Sequence, residues 1–345
     1  MRTIRNGLTG GRDAGPAGKA LHAMLLRVSV AVAVSAVVAV GCSSNPPSTE
    51  SGGSTTTSPA PAAPVLDGTF RLDFDGSAQI SGAGPTSDKI PPATFAFRST
   101  CSENGCVATG SEVQPETPAT AVGPVVLDYL DGHWLMVKMT ETSCGTYGTL
   151  PRMTVWELMP QPDGTLSGTR LNARLGSPDC VQAFRLPMRA TRIGDVDAGV
   201  EIADPAQEAK RVPSPAENWR GSYSAVLTLV GDGAEPPLTQ YFSVSTVCVR
   251  NSDQCVSFIF SRVQGRQVVQ PFAFTDNQWK LSYQSPVTPC PEPGMSAPRV
   301  FTTTYLMPAS ASNPIASLTG NRSIEFTGAC HSVSEYNIAA TRIGD

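Results

Sequence analysis

Short runs in which hydrophobic and polar residues alternate make up most of the chain after residue 65. The run FRLDF at 70–74 is typical, and YSAVL at 223–227 shows the same pattern in the second half. A period of two residues is the signature of a β-strand with one buried face. No stretch has a 3.6-residue period over the length of a helix, so the chain is predicted to be all-β.

The chain contains two copies of one unit. The hexapeptide ATRIGD occurs at 190–195 and again at 340–345, each time ten residues after a cysteine. The motif L-x-G-x-R recurs at 166–170 and 318–322, and LMP recurs at 158–160 and 306–308. We interpret the hexapeptide as the last strand of each unit, a marker of the fold and not of an activity.

Each unit is predicted to contain about eight short antiparallel strands. In the first unit they are expected near 67–75, 93–100, 106–110, 124–130, 134–140, 152–159, 165–174 and 184–194. Consecutive hairpins form a meander, and closing the meander removes exposed sheet edges. We therefore favour two tandem up-and-down barrels, with β-sandwiches as the alternative.

The N-terminal part of the chain is predicted to direct export. An apolar run at 28–40 follows basic residues and is too short to span a bilayer, which is typical of a signal peptide. The sequence VAVGC at 38–42 resembles a bacterial lipobox, in which the thiol of Cys42 takes a lipid and residues 1–41 are removed. Ala39 stands where the lipobox usually has leucine, which leaves simple secretion as an alternative, and Met24 is an alternative translation start. The Ser-, Thr- and Pro-rich stretch that follows is predicted to be a disordered tether.

The nine cysteines divide into Cys42 and four in each unit, which indicates disulfides in an exported chain. Asn-Gly at 104–105 predicts a tight hairpin whose flanking cysteines face each other. The pairs that we favour are Cys101–Cys106, Cys144–Cys180, Cys248–Cys255 and Cys290–Cys330. Four cysteines per unit still allow three connectivities. The spacings C-x4-C and C-x6-C do not suit zinc, so no metal site is expected.

The charge balance argues against nucleic acid as a partner. The formal net charge is −4, and removal of residues 1–41, which carry five basic residues and one acidic residue, makes it more negative. Such a chain lacks the basic surface that binds phosphate backbones.

Few residues carry recognisable chemistry. His133 and His331 do not occupy equivalent positions in the two units, and the paired carboxylates Asp73 and Asp75 have no counterpart in the second unit. No nucleophile elbow, metalloprotease motif or phosphate loop occurs, so we expect no catalytic residues and no cofactor.

Two recurring pairs have both a structural and a functional interpretation. Trp134 and Trp279 either pack in the core at strand ends or line the mouth of a pocket. Arg192 and Arg342, inside the hexapeptide, either pair within the framework or meet an anionic ligand.

Three motifs carry a resemblance to a known group of proteins. They are C-x4-C-V-A-T at 101–109, P-D-G-x-L-x-G at 162–168 and A-T-R-x-G-D-V at 190–196. With the lipobox, they make the chain similar to mycobacterial secreted lipoproteins with two Cys-paired repeats. The units also resemble extracytoplasmic units of some actinobacterial membrane Ser/Thr kinases. The resemblance extends over about 66–345 and implies a compartment and an architecture, but no catalytic residues.

The domains expected are a signal peptide at 1–41, a lipidated tether at 42–65, β domains at 66–195 and 219–345, and a linker at 196–218. The function expected is that of a monomeric, non-catalytic binding or sensory module, held to the outer face of the cell membrane by lipid on Cys42. Its ligand or partner in the envelope is not identified. The alternatives are a carrier of an apolar ligand inside a barrel and an envelope hydrolase using Asp73 and His133.

Overall fold

The computed structural model describes residues 65–81, 90–103, 105–113, 122–231, 235–263, 265–290, 294–328, 330 and 332–345. They form two antiparallel β-barrels in tandem, which confirms the predicted fold class. Within these ranges the helical segments are short 3-10 turns, and none is long and apolar enough to cross a membrane. The predicted signal peptide, Met24, Cys42 and nearly all of the tether lie outside the described residues.

The first barrel is a meander of eight long strands with one short strand added. Its strands are β1 Gly68–Phe74, β2 Ile80–Ser81, β3 Ala93–Ser102, β4 Gly105–Glu112, β5 Val125–Leu130, β6 His133–Ser143, β7 Thr149–Pro160, β8 Leu166–Arg174 and β9 Gln182–Gly194. The sheet runs in the order β1-β3-β4-β5-β6-β7-β8-β9, and β1 pairs with β9 to close it. The short strand β2 pairs with β9 at Ile80 and Arg185.

The second barrel repeats this order. Its strands are β10 Gly221–Leu229, β11 Leu238–Cys248, β12 Cys255–Val263, β13 Arg266–Thr275, β14 Gln278–Gln284, β17 Arg299–Leu306, β18 Ser317–Phe326 and β19 Val333–Gly344, with a separate ribbon of β15 Thr288–Pro289 and β16 Ser296–Ala297. Closure is between β10 and β19. The hexapeptide therefore lies in the closing strand of each barrel, as predicted.

Two-residue turns join the central hairpins at equivalent places. Asp131 and Gly132 have φ of 48° and 86°, and Asp276 and Asn277 have φ of 51° and 56°. Positive φ at both turn residues matches the right-handed twist of the flanking strands. These turns set the register that directs Trp134 and Trp279 into the two cores.

The segment between the barrels is ordered against both of them. It contains 3-10 helices at Pro205–Gln207 and Pro215–Asn218. Thr109 Oγ1 donates a hydrogen bond of 2.6 Å to the Ala203 carbonyl of this segment. Ser214 Oγ lies 2.9 Å from Asp253 Oδ1 of the second barrel.

A third hydrophobic cluster joins the two barrels to each other. It contains outward-facing residues of both, namely Leu135, Met153, Val155, Leu171, Ala173, Leu175, Ala183, Val247, Val256, Phe258 and Val269. Beside it, Asp128 of the first barrel lies 3.1 Å from Arg250 Nε of the second, and Arg250 also contacts Glu208 at 3.4 Å. The two units predicted from the sequence carried no expectation of this interface. Its signal is that β6 and β7 are apolar on both faces, which is typical of strands covered on both sides.

Candidate functional site

The interior of the second barrel is tightly packed at one end. Trp219 follows the 3-10 helix Pro215–Asn218 and lies fully buried in the barrel. Its ring centroid is 4.6 Å from that of Trp279 and 5.0 Å from that of Tyr305. Thr246 Oγ1 donates to the Trp219 carbonyl at 2.7 Å, which fixes Trp219 to β11. These aromatic rings fill the barrel interior around Trp219.

The other end of the same barrel is open and contains a cavity of about 880 Å³. A cavity of this size is within the range that binds small molecules. Its apolar lining is mostly aromatic and comprises Tyr223, Phe242, Ile259, Phe260, Phe272, Leu281, Tyr283, Phe301 and Tyr305. Polar residues also line it, among them Gln240, Gln270, Thr303, Arg262 and Arg322.

Arg322 is one of the two arginines that line this cavity, the other being Arg262. Its Nε donates to Thr303 Oγ1 at 3.0 Å, and its Nη2 lies 3.4 Å from Gln240 Oε1. Among the described residues no carboxylate forms an ion pair with Arg322. Burial raises the pKa of Tyr305 to about 12, and the charge of Arg322 opposes this shift. The cavity therefore presents a positive charge above an aromatic floor.

The strand registers account for the space beside Arg322 in the second barrel. In the first barrel Arg170 of the L-x-G-x-R motif faces Trp156 across the β7–β8 pair. In the second barrel the equivalent Arg322 faces Thr303. Trp156 is fully buried and packs edge-on against Phe95 at 4.9 Å, so it fills the space that the smaller Thr303 leaves open.

Trp134 and Trp279 do not line a pocket mouth. Both are fully buried, each within the central hydrophobic cluster of its own barrel. Their Nε1 atoms have no hydrogen-bond partner, as expected of rings enclosed by apolar groups. The pocket interpretation of these residues is therefore wrong, and core packing accounts for their recurrence.

Arg192 and Arg342 belong to the framework. Arg192 Nε donates to the Asp67 carbonyl at 3.0 Å, and its Nη2 pairs with Asp195 of the same hexapeptide. Arg342 pairs in the same way with Asp345. In each barrel the arginine lies over the glycine that begins the first strand, since a Cβ on Gly68 would meet Arg192 Nε at 2.5 Å.

The structure contains four disulfides. They join Cys101 to Cys106, Cys144 to Cys180, Cys248 to Cys255, and Cys290 to Cys330. The first and third bridge directly paired residues of adjacent strands, β3–β4 and β11–β12. The other two span longer connections of 36 and 40 residues.

The residues considered for hydrolysis do not form a site. Asp73 is exposed and pairs with Arg71 at 2.9 Å, while Asp75 accepts a hydrogen bond from Ser77 at the start of a short 3-10 helix. His133 begins β6, which is not a neighbour of the strand that carries Asp73. His331 lies outside the described residues. Within the described ranges no group of His, Cys, Asp and Glu residues could hold a metal ion.

The described residues form a tandem β-barrel with an open cavity in the second barrel. A family model described as "PknI serine/threonine-protein kinase sensor domain" matches residues 63–207, which include the first barrel. The chain is 32% identical over 167 residues to serine/threonine-protein kinase PknI of Mycobacterium tuberculosis and of Mycobacterium bovis. This similarity confirms the predicted resemblance to extracytoplasmic units of actinobacterial Ser/Thr kinases.

The matched segment is 44% of this chain and 28% of the kinases, so the chain spans little more than a quarter of the curated relatives' length. Among solved structures, the monomer form of the M. tuberculosis PknI sensor domain aligns with 25% identity and a TM-score of 0.35, covering 42% of this chain and 99% of that one. The dimer form aligns with 26% identity and a TM-score of 0.30, covering 36% and 91%. The similarity to a kinase sensor domain supports an extracytoplasmic location for the barrels.

Proposed function

We propose that this protein is a lipid-anchored, non-catalytic sensory module of the cell envelope, and that its ligand occupies the open cavity of the second barrel. The observation that carries the proposal is the cavity of about 880 Å³ with an aromatic floor and with Arg322, a lining cation that forms no ion pair with any described carboxylate. The similarity of the first barrel to a sensor domain supports a role in sensing.

The lining indicates the class of ligand. Aromatic and aliphatic side chains favour an apolar body, and a guanidinium favours a carboxylate at its head because the two can form charge-assisted hydrogen bonds. A long-chain or aromatic carboxylate combines both features. This proposal joins the binding function to the carrier alternative, since an amphipathic acid held in the cavity is either sensed or carried there.

Binding of a fluorescent fatty acid, cis-parinaric acid, to the full chain tests the cavity. Arg322→Gln should weaken binding by roughly tenfold or more, as expected for loss of a hydrogen bond to a charged group. Thr303→Trp, which installs the residue of the first barrel, should fill the cavity and abolish binding without loss of thermal stability.

Arg189→Gln serves as the matched control, because Arg189 is an exposed arginine paired with Asp163 at 2.8 Å. Its affinity for the probe should equal that of the unmodified protein. Undiminished binding by the Thr303→Trp variant would place the probe elsewhere and overturn the proposal.

Anchoring through Cys42 needs a separate test in the native host. Metabolic labelling with an alkyne fatty acid should mark the unmodified protein and leave a Cys42→Ser variant unlabelled and released from the membrane fraction. Equal membrane retention of the two proteins would contradict lipid anchoring.

A further inference from the structure

The inner wall of the first barrel carries an unusual set of charges. On β8 the inward positions beyond the core are Arg170, Asn172 and Arg174, which alternate with the outward-facing Leu171 and Ala173 of the interface. Across the β7–β8 pair Arg174 faces Arg152, and Asn172 faces Thr154. Lys138 on β6 lies on the same wall, opposite Thr154. Together Lys138, Arg152, Arg170, Asn172 and Arg174 are called the basic inner wall.

Three donors of this wall are buried without an acceptor. The Nε atoms of Arg170 and Arg174 and the Nδ2 of Asn172 are buried, and none has a hydrogen-bond partner. Asn172 is 3% exposed, and its Oδ1 already accepts from Thr154 Oγ1 at 2.8 Å, so the carboxamide is held with its amino group unpaired. A buried donor without a partner costs about 1–3 kcal/mol, so three of them on one strand need an explanation.

The charges of the wall are also poorly balanced. Glu112 is the carboxylate whose charge acts on Arg170 and Lys138, and one of its oxygens already accepts from the Val122 amide at 2.8 Å. The pKa of Arg170 is lowered to about 10, first by burial and then by the charge of the neighbouring Arg152, while Glu112 opposes both effects. Burial also lowers the pKa of Arg152, and Arg174 adds to that effect. These arginines therefore repel one another in a partly desolvated place.

In the second barrel, the position equivalent to Arg152 is also an arginine, but aromatic rings surround it. The equivalent of Arg152 is Arg299, which lies 5.3 Å from the ring centroid of Phe301 and 5.4 Å from that of Phe326. Phe326 stands where the first barrel has Arg174, since both pair with these arginines across the sheet. The first barrel thus has an arginine where its sister has an aromatic ring.

We propose that the basic inner wall is a binding site for a phosphate group. Guanidinium groups recognise phosphate through paired hydrogen bonds, and several donors without acceptors match its several oxygens. The phosphate comes either from free inorganic phosphate or from a phospholipid headgroup. The site lies in a different barrel from the carboxylate cavity, so it does not depend on that proposal.

Isothermal titration calorimetry on the full chain at constant ionic strength tests the site, with inorganic phosphate in one arm and the soluble headgroup glycerophosphoinositol in the other. One of the two should bind at a single site, and the tighter of them identifies the source. Arg170→Gln should weaken that binding by about tenfold or more. Arg189→Gln, which changes an exposed arginine of the same barrel that pairs with Asp163, should leave it unchanged. Absence of binding by both probes, or equal binding by the Arg170→Gln variant, overturns the proposal.

A second variant tests the basic inner wall by supplying an anion within the protein itself. Asn172→Asp places a carboxylate where the phosphate would bind, and its oxygen can still accept from Thr154. It should raise the melting temperature without phosphate and remove the response to phosphate. If the variant has a lower melting temperature and phosphate still changes that temperature, the basic inner wall is not an anion-binding site.

Discussion

At the scale of single residues, two glycines recur in the repeats because the backbones of neighbouring strands lie very close together at their positions. Gly168 and Gly320 stand at the centre of the L-x-G-x-R motif, each paired with a large inward residue of the preceding strand, Leu158 or Tyr305. A Cβ at either position would overlap the carbonyl of Glu157 or Thr304 on that strand. Only glycine lets the two strands come this close at the bend.

Replacing either glycine by alanine should therefore destabilise its barrel. Gly168→Ala and Gly320→Ala are each expected to lower the free energy of unfolding by about 1–3 kcal/mol or more, the usual range for overpacking. Chemical denaturation followed by tryptophan fluorescence measures the change. Gly199→Ala is the control, because a Cβ at Gly199 has nothing within 4 Å. Equal stability of all three variants would contradict the close approach.

The buried tyrosines make a prediction about pH. Burial raises the pKa of Tyr223 and of Tyr305 from 10.0 to about 12. Since both keep their protons in the folded state where the unfolded chain loses them, their contribution to stability is complete below pH 10 and is lost as the pH rises to about 12.

Absorbance titration of phenolate formation checks this directly. Of the seven tyrosines, Tyr223 and Tyr305 should stay protonated in the folded protein between pH 10 and about 12. Tyr305→Phe should remove one of the late-ionising groups and leave the early ones unaltered. Ionisation of all tyrosines in one step near pH 10 would show that neither ring is enclosed.

At the scale of elements, the alternating pattern predicted the strands well, because each strand has one face in a barrel core. The eight strands expected in the first unit correspond to β1 and β3 to β9, with ends that differ by a few residues. The short β2 was missed, since two residues carry no periodicity.

One sequence correspondence misled the comparison of the repeats. LMP at 158–160 and 306–308 suggested that Leu158 and Leu306 are equivalent. Leu158 is fully buried, whereas Leu306 is 46% exposed. Trp134 pairs with Leu158 and Trp279 pairs with Tyr305, so the true equivalent of Leu158 is one residue earlier. The cavity could not be predicted for the same reason, because a shift of one residue reverses which side chains face inward.

The two hairpin disulfides differ in their surroundings and should differ in their effect on stability. Cys248 and Cys255 are each 3% exposed and belong to the core of the second barrel, whereas Cys101 is exposed. Both disulfides close short loops, so their entropic contributions are similar. Replacing Cys248 and Cys255 together by serine should therefore cost more stability than replacing Cys101 and Cys106, because it also buries two hydroxyls.

Thermal unfolding of the two double variants, side by side, measures this difference, and peptide mapping without reduction checks the pairing. A peptide joining Cys106 to Cys144 would show a different connectivity. A larger loss for the Cys101 and Cys106 variant would contradict the argument from burial.

At the scale of the whole molecule, the interface should make the two barrels unfold as one cooperative body. Phe258 is fully buried in it although it points out of its own barrel. The alternating pattern predicts which side chains point outward from a barrel, but it does not show which part of the protein covers them. The cluster between the barrels was therefore beyond the reach of the sequence pattern.

Scanning calorimetry tests the cooperativity. The full chain should unfold in a single transition, and Phe258→Asp should split this into two by placing a charge in the apolar interface. Ser243→Asp, on an exposed position of β11, is the control and should unfold as the unmodified protein does. Two separate transitions in the unmodified protein would show that the barrels are energetically independent.

The closing strands have a consequence for how the chain is made. Since β1 pairs with β9 and β10 with β19, each barrel joins its first strand to its last across more than 100 residues. Because the chain is synthesised from its N-terminus, the first barrel can close before synthesis of the second is complete. Neither barrel can close before its own ATRIGD segment has been made. Until then the edges of β1 and β10 are unpaired and open to wrong partners, so folding is slow and order-dependent. Pairing of the repeated hexapeptide with the first strand ends that exposure in each barrel.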